Sequence, residues 1–316
     1  MRVFVPFFLF VVIAFTSNAQ HAISLPLLYH KDKIFVCIPT LQGDTLHFMF
    51  DTGSRDMFVD SAVAVKYQLT NEKSSTTMFA FAKNIYLPGK FFNEKILFAD
   101  TTLNRLYSLG KSVNLSKLKL SSDIKIDGIL GISPAIEKYI LRIDFVNKTA
   151  TIADSTSRFS INKIHHSVDM LYSDNGFETK RSASSKLIPS SKFLGYYGSG
   201  YFIETNLLFD TGCHWEAAIV TQLPLDSVYA RQPARHSSKM PHKYYDKQEN
   251  IYYLMADSLS IAGKITVKKV KTAYLKSYFG DTFGSLPMGI FVGAPFFKRF
   301  KQVYFNFPAK RIDFVK

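Results

Sequence analysis

Two aspartates of the sequence stand in the same short motif and could work as one acid–base pair. The stretch Phe50–Ser54, which reads Phe-Asp-Thr-Gly-Ser, recurs as Phe209–Cys213, so that Asp210 lies 159 residues after Asp51. Two carboxylates brought to close range would hold one proton between them, because they cannot both ionise cheaply. Such a pair offers a base to deprotonate water and an acid to protonate a departing amide nitrogen.

The residues around each aspartate suit that chemistry. A lone Asp-Thr-Gly is most simply a turn, since Asp and Gly are ordinary turn residues. Both copies, however, end apolar runs such as Phe48-Met49-Phe50, where a carboxylate must be paired, hydrogen-bonded or neutralised. Each glycine permits close backbone approach, and each threonine hydroxyl can both donate and accept. The candidate catalytic residues are Asp51 and Asp210, supported by Thr52, Gly53, Ser54, Thr211 and Gly212.

Two further blocks repeat in the same order and predict a duplicated fold. Ile85–Lys90 matches Leu259–Lys264, and each block alternates apolar and polar residues up to a glycine, which is a hairpin pattern. Gly128–Gly131 recurs as Gly289–Gly293. Three blocks in one order indicate duplication, and an aromatic content of 15% favours strands. The predicted lobes are residues 22–155 and 160–316, with short helices at Ser61–Leu69, Ser133–Ile140 and Ala294–Phe300.

These motifs together resemble the pepsin/retropepsin aspartic peptidases. The resemblance rests on both Asp-Thr-Gly motifs, on Asp127–Gly131 and on Phe291–Phe296, and it covers roughly residues 23–316. It implies an all-β, bilobal fold of two pseudo-twofold-related, barrel-like lobes with a few short helices. It also implies an Asp51/Asp210 catalytic dyad, reciprocal hydrogen bonds between Thr52 and Thr211, a peptide or protein substrate, and no metal or cofactor. Because one chain carries both aspartates, a monomer is sufficient for the active site.

Two features depart from that family. Cys213 follows the second Asp-Thr-Gly, where the family usually has Ser, Thr or Ala, and a thiol is a poor hydrogen-bond partner. Tyr197–Gly200 looks like the family's flap but precedes Asp210, which favours a hairpin turn there. A flap over the cleft is expected from residues 74–83. Its candidate substrate contacts are Met78, Phe79 and Phe81, for each of which core packing is an equal alternative.

Two other functions compete with the peptidase. A catalytically inactive peptide- or protein-binding protein on the same scaffold would keep the lobes and lose the chemistry, and Cys213 favours it. A metal site built from Asp210, Cys213 and His214 with another histidine is the third possibility, but their adjacency fits no usual ligand spacing. A nucleic acid partner is not expected. The net charge is +14, but the lysines are spread along the chain and no nucleic-acid-binding motif accompanies them.

The N-terminus predicts export. Arg2 precedes the apolar run Val3–Phe15, and small residues follow at Ser17 and Ala19, which is typical of a signal peptide covering residues 1–19. The alternative, a membrane anchor, would need about 20 apolar residues. We therefore expect a periplasmic or extracellular protein that is not membrane-inserted after cleavage. The two cysteines, Cys37 and Cys213, fall in different predicted lobes, which favours free thiols and leaves their pairing open.

Overall fold

A computed structural model describes most of the chain, and every structural statement below concerns the residues it describes. They are residues 22–69, 75–80, 85–93, 97–118, 123–154, 159, 164–173, 188–196, 202–219, 236–244, 247–274 and 288–316.

The described chain is built mainly of strands. The strands before residue 155 are β1 (Ala22–His30), β2 (Lys33–Pro39), β3 (Thr45–Phe50), β4 (Met57–Asp60), β5 (Thr76–Ala80), β6 (Ile85–Asn93), β7 (Leu109–Val113), β8 (Gly128–Leu130), β9 (Ile140–Asp144) and β10 (Thr149–Ala153). Those after it are β11 (His166–Asp169), β12 (Leu171–Ser173), β13 (Ile188–Tyr196), β14 (Phe202–Phe209), β15 (Ala217–Ile219), β16 (His236–Tyr244), β17 (Lys247–Ile261), β18 (Ile265–Tyr274), β19 (Met288–Val292), β20 (Gln302–Asn306) and β21 (Arg311–Val315).

The two halves of the chain repeat one strand topology. In the first half β8 runs parallel to β3 and antiparallel to β4, while β4 runs parallel to β7. In the second half β19 runs parallel to β14 and antiparallel to β15, while β15 runs parallel to β18. The internal repeat of the sequence is therefore a repeat of structure, and the fold is all-β with two related lobes.

The two sheets divide the chain differently from the predicted lobe boundaries, which remain predictions. The described strands of the first sheet run β11-β21-β20-β9-β10-β1-β2-β3-β8-β4-β7-β6-β5, and those of the second run β12-β13-β14-β19-β15-β18-β17-β16. The C-terminal strand β20 pairs with β9, with Val303 opposite Ile143. Three strands from beyond residue 160 thus lie in the same sheet as the strands of the first half.

The predicted hairpin at the first copy of the second block is wrong. Gly89 lies inside β6, opposite Thr76 on one side and Val113 on the other, and the strand continues through it. Its partner in the repeat, Gly263, does make a turn, with a φ of 68° between β17 and β18. Gly89 has a different reason to be glycine, since a Cβ there would run into the backbone oxygen of Ser112.

The short helices are present but end earlier than predicted. Ser61–Lys66 is an α-helix capped by Asp60, whose side chain accepts from the nitrogen of Ala62, and the left-handed φ of 54° at Gln68 prevents its continuation. Thr101–Leu106 is a further helix, not predicted from the sequence. The other described helices are 3₁₀ segments at Leu115–Leu118 and Pro134–Lys138 and a single turn at Ala294–Phe297.

A shared apolar core supports the ends of the strands that carry the two motifs. Phe50 and Phe209, the residues before the two aspartates, are both fully buried in one cluster. The Phe209 ring lies 6.1 Å from that of Phe297 and 6.2 Å from that of Phe314. Burying aromatic rings of this size is strongly stabilising, so this packing fixes the ends of the two strands that carry the motifs. None of the described helices is long and apolar enough to cross a membrane.

Candidate active site

Asp51 and Asp210 occupy equivalent places at the ends of two central strands. Asp51 directly follows β3, and its backbone nitrogen donates to the oxygen of Leu130 at 3.0 Å. Asp210 directly follows β14 and donates in the same way to Val292 at 2.9 Å. The repeated apolar-glycine blocks, which form β8 and β19, therefore hold the start of each loop from behind.

The two loops meet through their glycines. A Cβ built on Gly53 would lie 2.7 Å from the Cγ atom of Asp210, and one built on Gly212 would lie 2.6 Å from the Cγ atom of Asp51. No real Cβ could be accommodated at those distances. Each carboxyl group thus packs against the glycine of the opposite loop, which places the two aspartates side by side.

Thr52 and Thr211 join the loops by four hydrogen bonds. The backbone nitrogen of Thr52 donates to Oγ1 of Thr211 at 2.9 Å, and that of Thr211 donates to Oγ1 of Thr52 at 3.0 Å. Each hydroxyl then donates onward to a backbone oxygen, Thr52 to Phe209 at 2.7 Å and Thr211 to Phe50 at 2.9 Å. Both side chains are fully buried, so this link is shielded from water.

The carboxyl groups share a hydrogen bond and receive backbone donors. Oδ1 of Asp51 accepts from the nitrogen of Gly53 at 2.9 Å, and Oδ1 of Asp210 accepts from Gly212 at 2.9 Å and from Cys213 at 3.2 Å. Burial raises the pKa of both aspartates, and the neighbouring charge of Asp51 raises the pKa of Asp210 further, well above its usual range. Both carboxyl groups are therefore harder to ionise than an ordinary aspartate.

The residues after the two glycines differ between the loops. Ser54 is partly exposed, and its hydroxyl lies 3.5 Å from the backbone oxygen of Asp56. Cys213 is buried, with its Sγ 3.7 Å from the oxygen of Trp215. Burial, together with the nearby charge of Asp210, raises the pKa of the Cys213 thiol well above its usual range. Cys213 and Cys37 are both free thiols.

The predicted flap residues are only partly described. Strands β5 and β6 form a hairpin at this position, with Phe79 opposite Tyr86. Met78 is buried in an apolar cluster with Phe35 and Leu87, so its side chain serves core packing, the alternative that the sequence left open. Phe81 and the Tyr197–Gly200 segment lie outside the described residues.

The third functional reading, a metal site, finds no support in the geometry. Among the described residues, no group of three or more His, Cys, Asp or Glu side chains lies close enough to hold a metal ion. The His214 ring instead contacts the Trp215 ring, tilted by 38° with 4.0 Å between ring centroids. Asp210 is engaged by Asp51 and two backbone nitrogens.

Sequence reasoning missed two acids at the far ends of the loops. Asp56 and Glu216 each immediately precede the strand that leaves the motif, β4 and β15 respectively. Nζ of Lys111 lies 2.5 Å from Oδ2 of Asp56, and Arg299 binds Glu216. The sequence signal was an acidic residue directly before the strand that leaves each loop. It was missed because the second loop is one residue longer than the first, so the two acids do not align in the repeat.

Comparison with solved structures identifies the class of fold. The crystal structure of an aspartic proteinase from Irpex lacteus matches this chain with a TM-score of 0.52, covering 94% of this chain and 97% of that one. The fold is pepsin-like. At 11% sequence identity the likeness concerns the fold alone. No family model matches the sequence, and neither does any curated protein.

Proposed function

We propose that this protein is an aspartic endopeptidase in which Asp51 and Asp210 activate a water molecule. The observation that carries the proposal is the contact between the two carboxyl groups, which share a hydrogen bond while each packs against the glycine of the opposite loop. Burial makes the pair retain a single proton, and one base beside one acid is what hydrolysis of an amide by water needs.

The proposed reaction follows from that protonation state. Asp51, ionised, takes a proton from water as the water oxygen attacks the peptide carbonyl carbon. Asp210 gives its proton to the carbonyl oxygen, so the tetrahedral adduct is neutral. Asp51 then passes its proton to the amide nitrogen as the carbon–nitrogen bond breaks, and Asp210 recovers a proton from the adduct's hydroxyl. The pair ends as it began, with one proton.

Several further properties belong to the same proposal. The substrate is a peptide or protein, the dyad uses no metal or cofactor, and one chain suffices because it carries both aspartates. Residues 1–19 would direct export and be removed, leaving a periplasmic or extracellular enzyme. Reading the N-terminus of the exported protein by mass spectrometry tests the last point, and a retained Arg2 would contradict it.

The activity test uses the exported protein and a mixed peptide library. We expect a bell-shaped pH profile for cleavage, because the pair must hold one proton, with its active window moved above that of two ordinary aspartates by burial. We also expect a loss of at least about a thousandfold in kcat for Asp51→Asn and for Asp210→Asn. Asp123→Asn is the matched control, since that exposed carboxylate binds Lys31 elsewhere on the surface. Cleavage that survives both dyad substitutions would refute the assignment.

The second candidate function, a peptide-binding protein without catalysis, is favoured by one observation. Cys213 stands where the first loop has Ser54, and its thiol, 3.7 Å from the oxygen of Trp215, is a weaker hydrogen-bonding group than a hydroxyl. On this hypothesis wild-type protein binds library peptides and releases them intact at every pH. Identical peptide masses before and after incubation, together with peptide capture, would support the binder over the enzyme.

A further inference from the structure

Each Asp-Thr-Gly loop ends in an acid that a base from the same half holds in place. The first loop runs from Asp51 to Asp56 and the second from Asp210 to Glu216, one residue longer. The following strands start in register, because Met57 lies opposite Leu130 and Ala217 opposite Val292. Asp56 and Glu216 therefore occupy equivalent positions in the repeat, although their partners, Lys111 and Arg299, do not.

The first anchor is an ion pair within an aromatic frame. Nζ of Lys111 lies 2.5 Å from Oδ2 of Asp56, and the Lys111 side chain is only 18% exposed. The same ammonium lies 5.6 Å from the ring centroid of Phe58 and 5.5 Å from that of Phe91. Lys111 stands directly opposite both phenylalanines in the sheet, so its position is set by three strands. Asp56 itself is 37% exposed, but a pair whose cation is packed in this way holds its geometry better than one in which both side chains are free in solvent.

The second anchor is a network around Glu216, whose side chain is 14% exposed. Its Oε1 accepts from Nε of Arg299, and its Oε2 accepts from the backbone nitrogen of Lys271 at 2.9 Å. The remaining guanidinium nitrogens of Arg299 donate to the backbone oxygens of Lys268 and Lys269 at 2.9 and 3.0 Å. One arginine thus ties the end of the loop to β18.

The anchored positions also receive the apolar-glycine blocks. The backbone oxygen of Asp56 accepts from Gly131 at 3.1 Å, and that of Glu216 accepts from Gly293 at 3.2 Å. Each loop is therefore held at its aspartate by one residue of the block and at its terminal acid by another. Between those points lie the nitrogens that donate to the carboxylates, Gly53 in the first loop and Gly212 and Cys213 in the second.

We propose that Asp56 and Glu216 are positioning residues that keep the backbone donors of each loop aimed at its own catalytic carboxylate. This inference rests on the proposed function, but its physical content, the geometry of the two loops, does not require turnover. Each carboxyl is acted on by burial, by the other carboxyl and by backbone N–H donors of its own loop, from Gly53 and Ser54 on Asp51 and from Gly212 and Cys213 on Asp210. A change in dyad titration while both carboxyls are kept therefore reports on the loops.

The two anchors have different expected signatures. Backbone N–H groups that donate to a carboxylate stabilise its ionised form and so lower its pKa. Loosening the first loop should weaken the donors to Asp51 and move the titration of the Asp51 carboxyl signal to higher pH. Loosening the second loop should do the same to the carboxyl signal of Asp210. A misplacement below 1 Å is enough to slow the chemical step by roughly tenfold to a hundredfold.

The test removes each anchor as a neutral pair, with Asp56→Asn/Lys111→Met and with Glu216→Gln/Arg299→Met. The matched control is Asp44→Asn/Lys66→Met, because Lys66 binds Asp44 at the same 2.5 Å but is 54% exposed. Carboxyl ¹³C titration by NMR measures the two pKa values, and peptide hydrolysis measures kcat and KM separately. We expect each anchor variant to shift its own titration step and lower kcat at least about tenfold with KM little changed, and the control to match wild type.

Variants that lose only unfolding stability, with both titration steps and kcat as in wild type, would overturn the proposal. If a double variant fails to fold, Lys111→Arg and Glu216→Asp replace it. Each keeps the charge and alters its reach, and a wild-type titration in both would likewise overturn the proposal. If wild type cleaves nothing, the proposed function fails on its own, while the titration still decides the anchors.

Discussion

Thr52 and Thr211 each donate a backbone N–H to the other's hydroxyl, at 2.9 and 3.0 Å, across the junction of the two repeats. Each hydroxyl donates a hydrogen bond to the backbone oxygen of the residue before the opposite aspartate, Phe209 or Phe50. Each threonine hydroxyl thus donates one hydrogen bond and accepts one, and both side chains are fully buried. It makes the distance between the two loops a property of the fold rather than of any ligand.

Replacing Thr211 by valine should therefore destabilise the protein without a change in side-chain volume. Thr211→Val leaves the nitrogen of Thr52 and the oxygen of Phe50 without partners in a buried setting, which costs about 2–4 kcal/mol. Urea unfolding measures the loss. Thr272→Val is the matched control, since Thr272 is equally buried but its Oγ1 has no hydrogen-bond partner. Equal losses in the two variants would show that the link contributes nothing.

A single methyl group on Gly53 should separate the two aspartates. The new Cβ would lie 2.7 Å from Cγ of Asp210, so the loops must move apart by about 1 Å to reach ordinary contact. We expect Gly53→Ala to lower kcat by about a hundredfold or more and to bring the two titration steps of the pair closer together.

Gly43→Ala is the control for the glycine substitution itself. Gly43 has a φ of 87° and open space around its Cβ position, so alanine there costs about 1 kcal/mol in backbone strain and touches no functional group. Its kcat should equal that of wild type. If Gly53→Ala also keeps full activity and two separated titration steps, the close packing of loop and carboxylate has no role in function.

The features that could be predicted from the sequence are those whose signal lies within one short stretch of residues. The places of Asp51 and Asp210 followed from a repeated motif, because both copies end a buried strand and are held by an equivalent neighbouring strand. The predicted turn at Gly89 was wrong because apolar and polar residues alternate on both sides of Gly89. That alternation does not distinguish a turn from a continuous strand. Only the left-handed φ at Gly263 separates the two copies.

Pairings between residues that are far apart in the sequence could not be predicted, for a different reason. Val303 pairs with Ile143 in the first sheet, where β20 meets β9, yet either strand alone shows an ordinary apolar pattern. Lys111 reaches Asp56 across 55 residues, and a lysine in a strand is far more often a solvated surface residue. Partner choice depends on register and topology, which a single sequence does not reveal.

The dyad should make the protein less stable as pH rises. A carboxyl whose folded-state pKa is raised contributes its full stability below its ordinary pKa, and that contribution is lost as pH rises through the raised value. Asp210 is such a group. Asp210→Asn removes the need to ionise beside Asp51, so we expect its Tm to exceed that of wild type at neutral pH and to match it in acid, measured by thermal unfolding across the pH range.

Asp144 provides the control of opposite sign. Burial raises its pKa, but donors from Asn147 and Gln302 outweigh burial and leave the pKa below the usual range. Its stabilisation is present above the ordinary pKa and lost as pH falls through the lowered one. Asp144→Asn should therefore cost about 2 kcal/mol near neutrality and progressively less in acid. A parallel pH dependence in the two variants would contradict the protonation states assigned to the dyad.

The thiols give a final test, because they probe the loop beside Asp210 directly. Only a thiolate reacts with an alkylating reagent, and its supply falls as the thiol pKa rises. Burial raises the pKa of both cysteines, but Cys213 also lies beside the Asp210 charge and is the more deeply buried. At about pH 8 iodoacetamide should modify Cys37 at least about tenfold faster than Cys213, as followed by peptide mass spectrometry, and denaturation should make the two rates equal. A non-reduced protein two mass units lighter than expected would reveal a disulfide, and labelling of Cys213 as fast as Cys37 would place that thiol outside the buried loop.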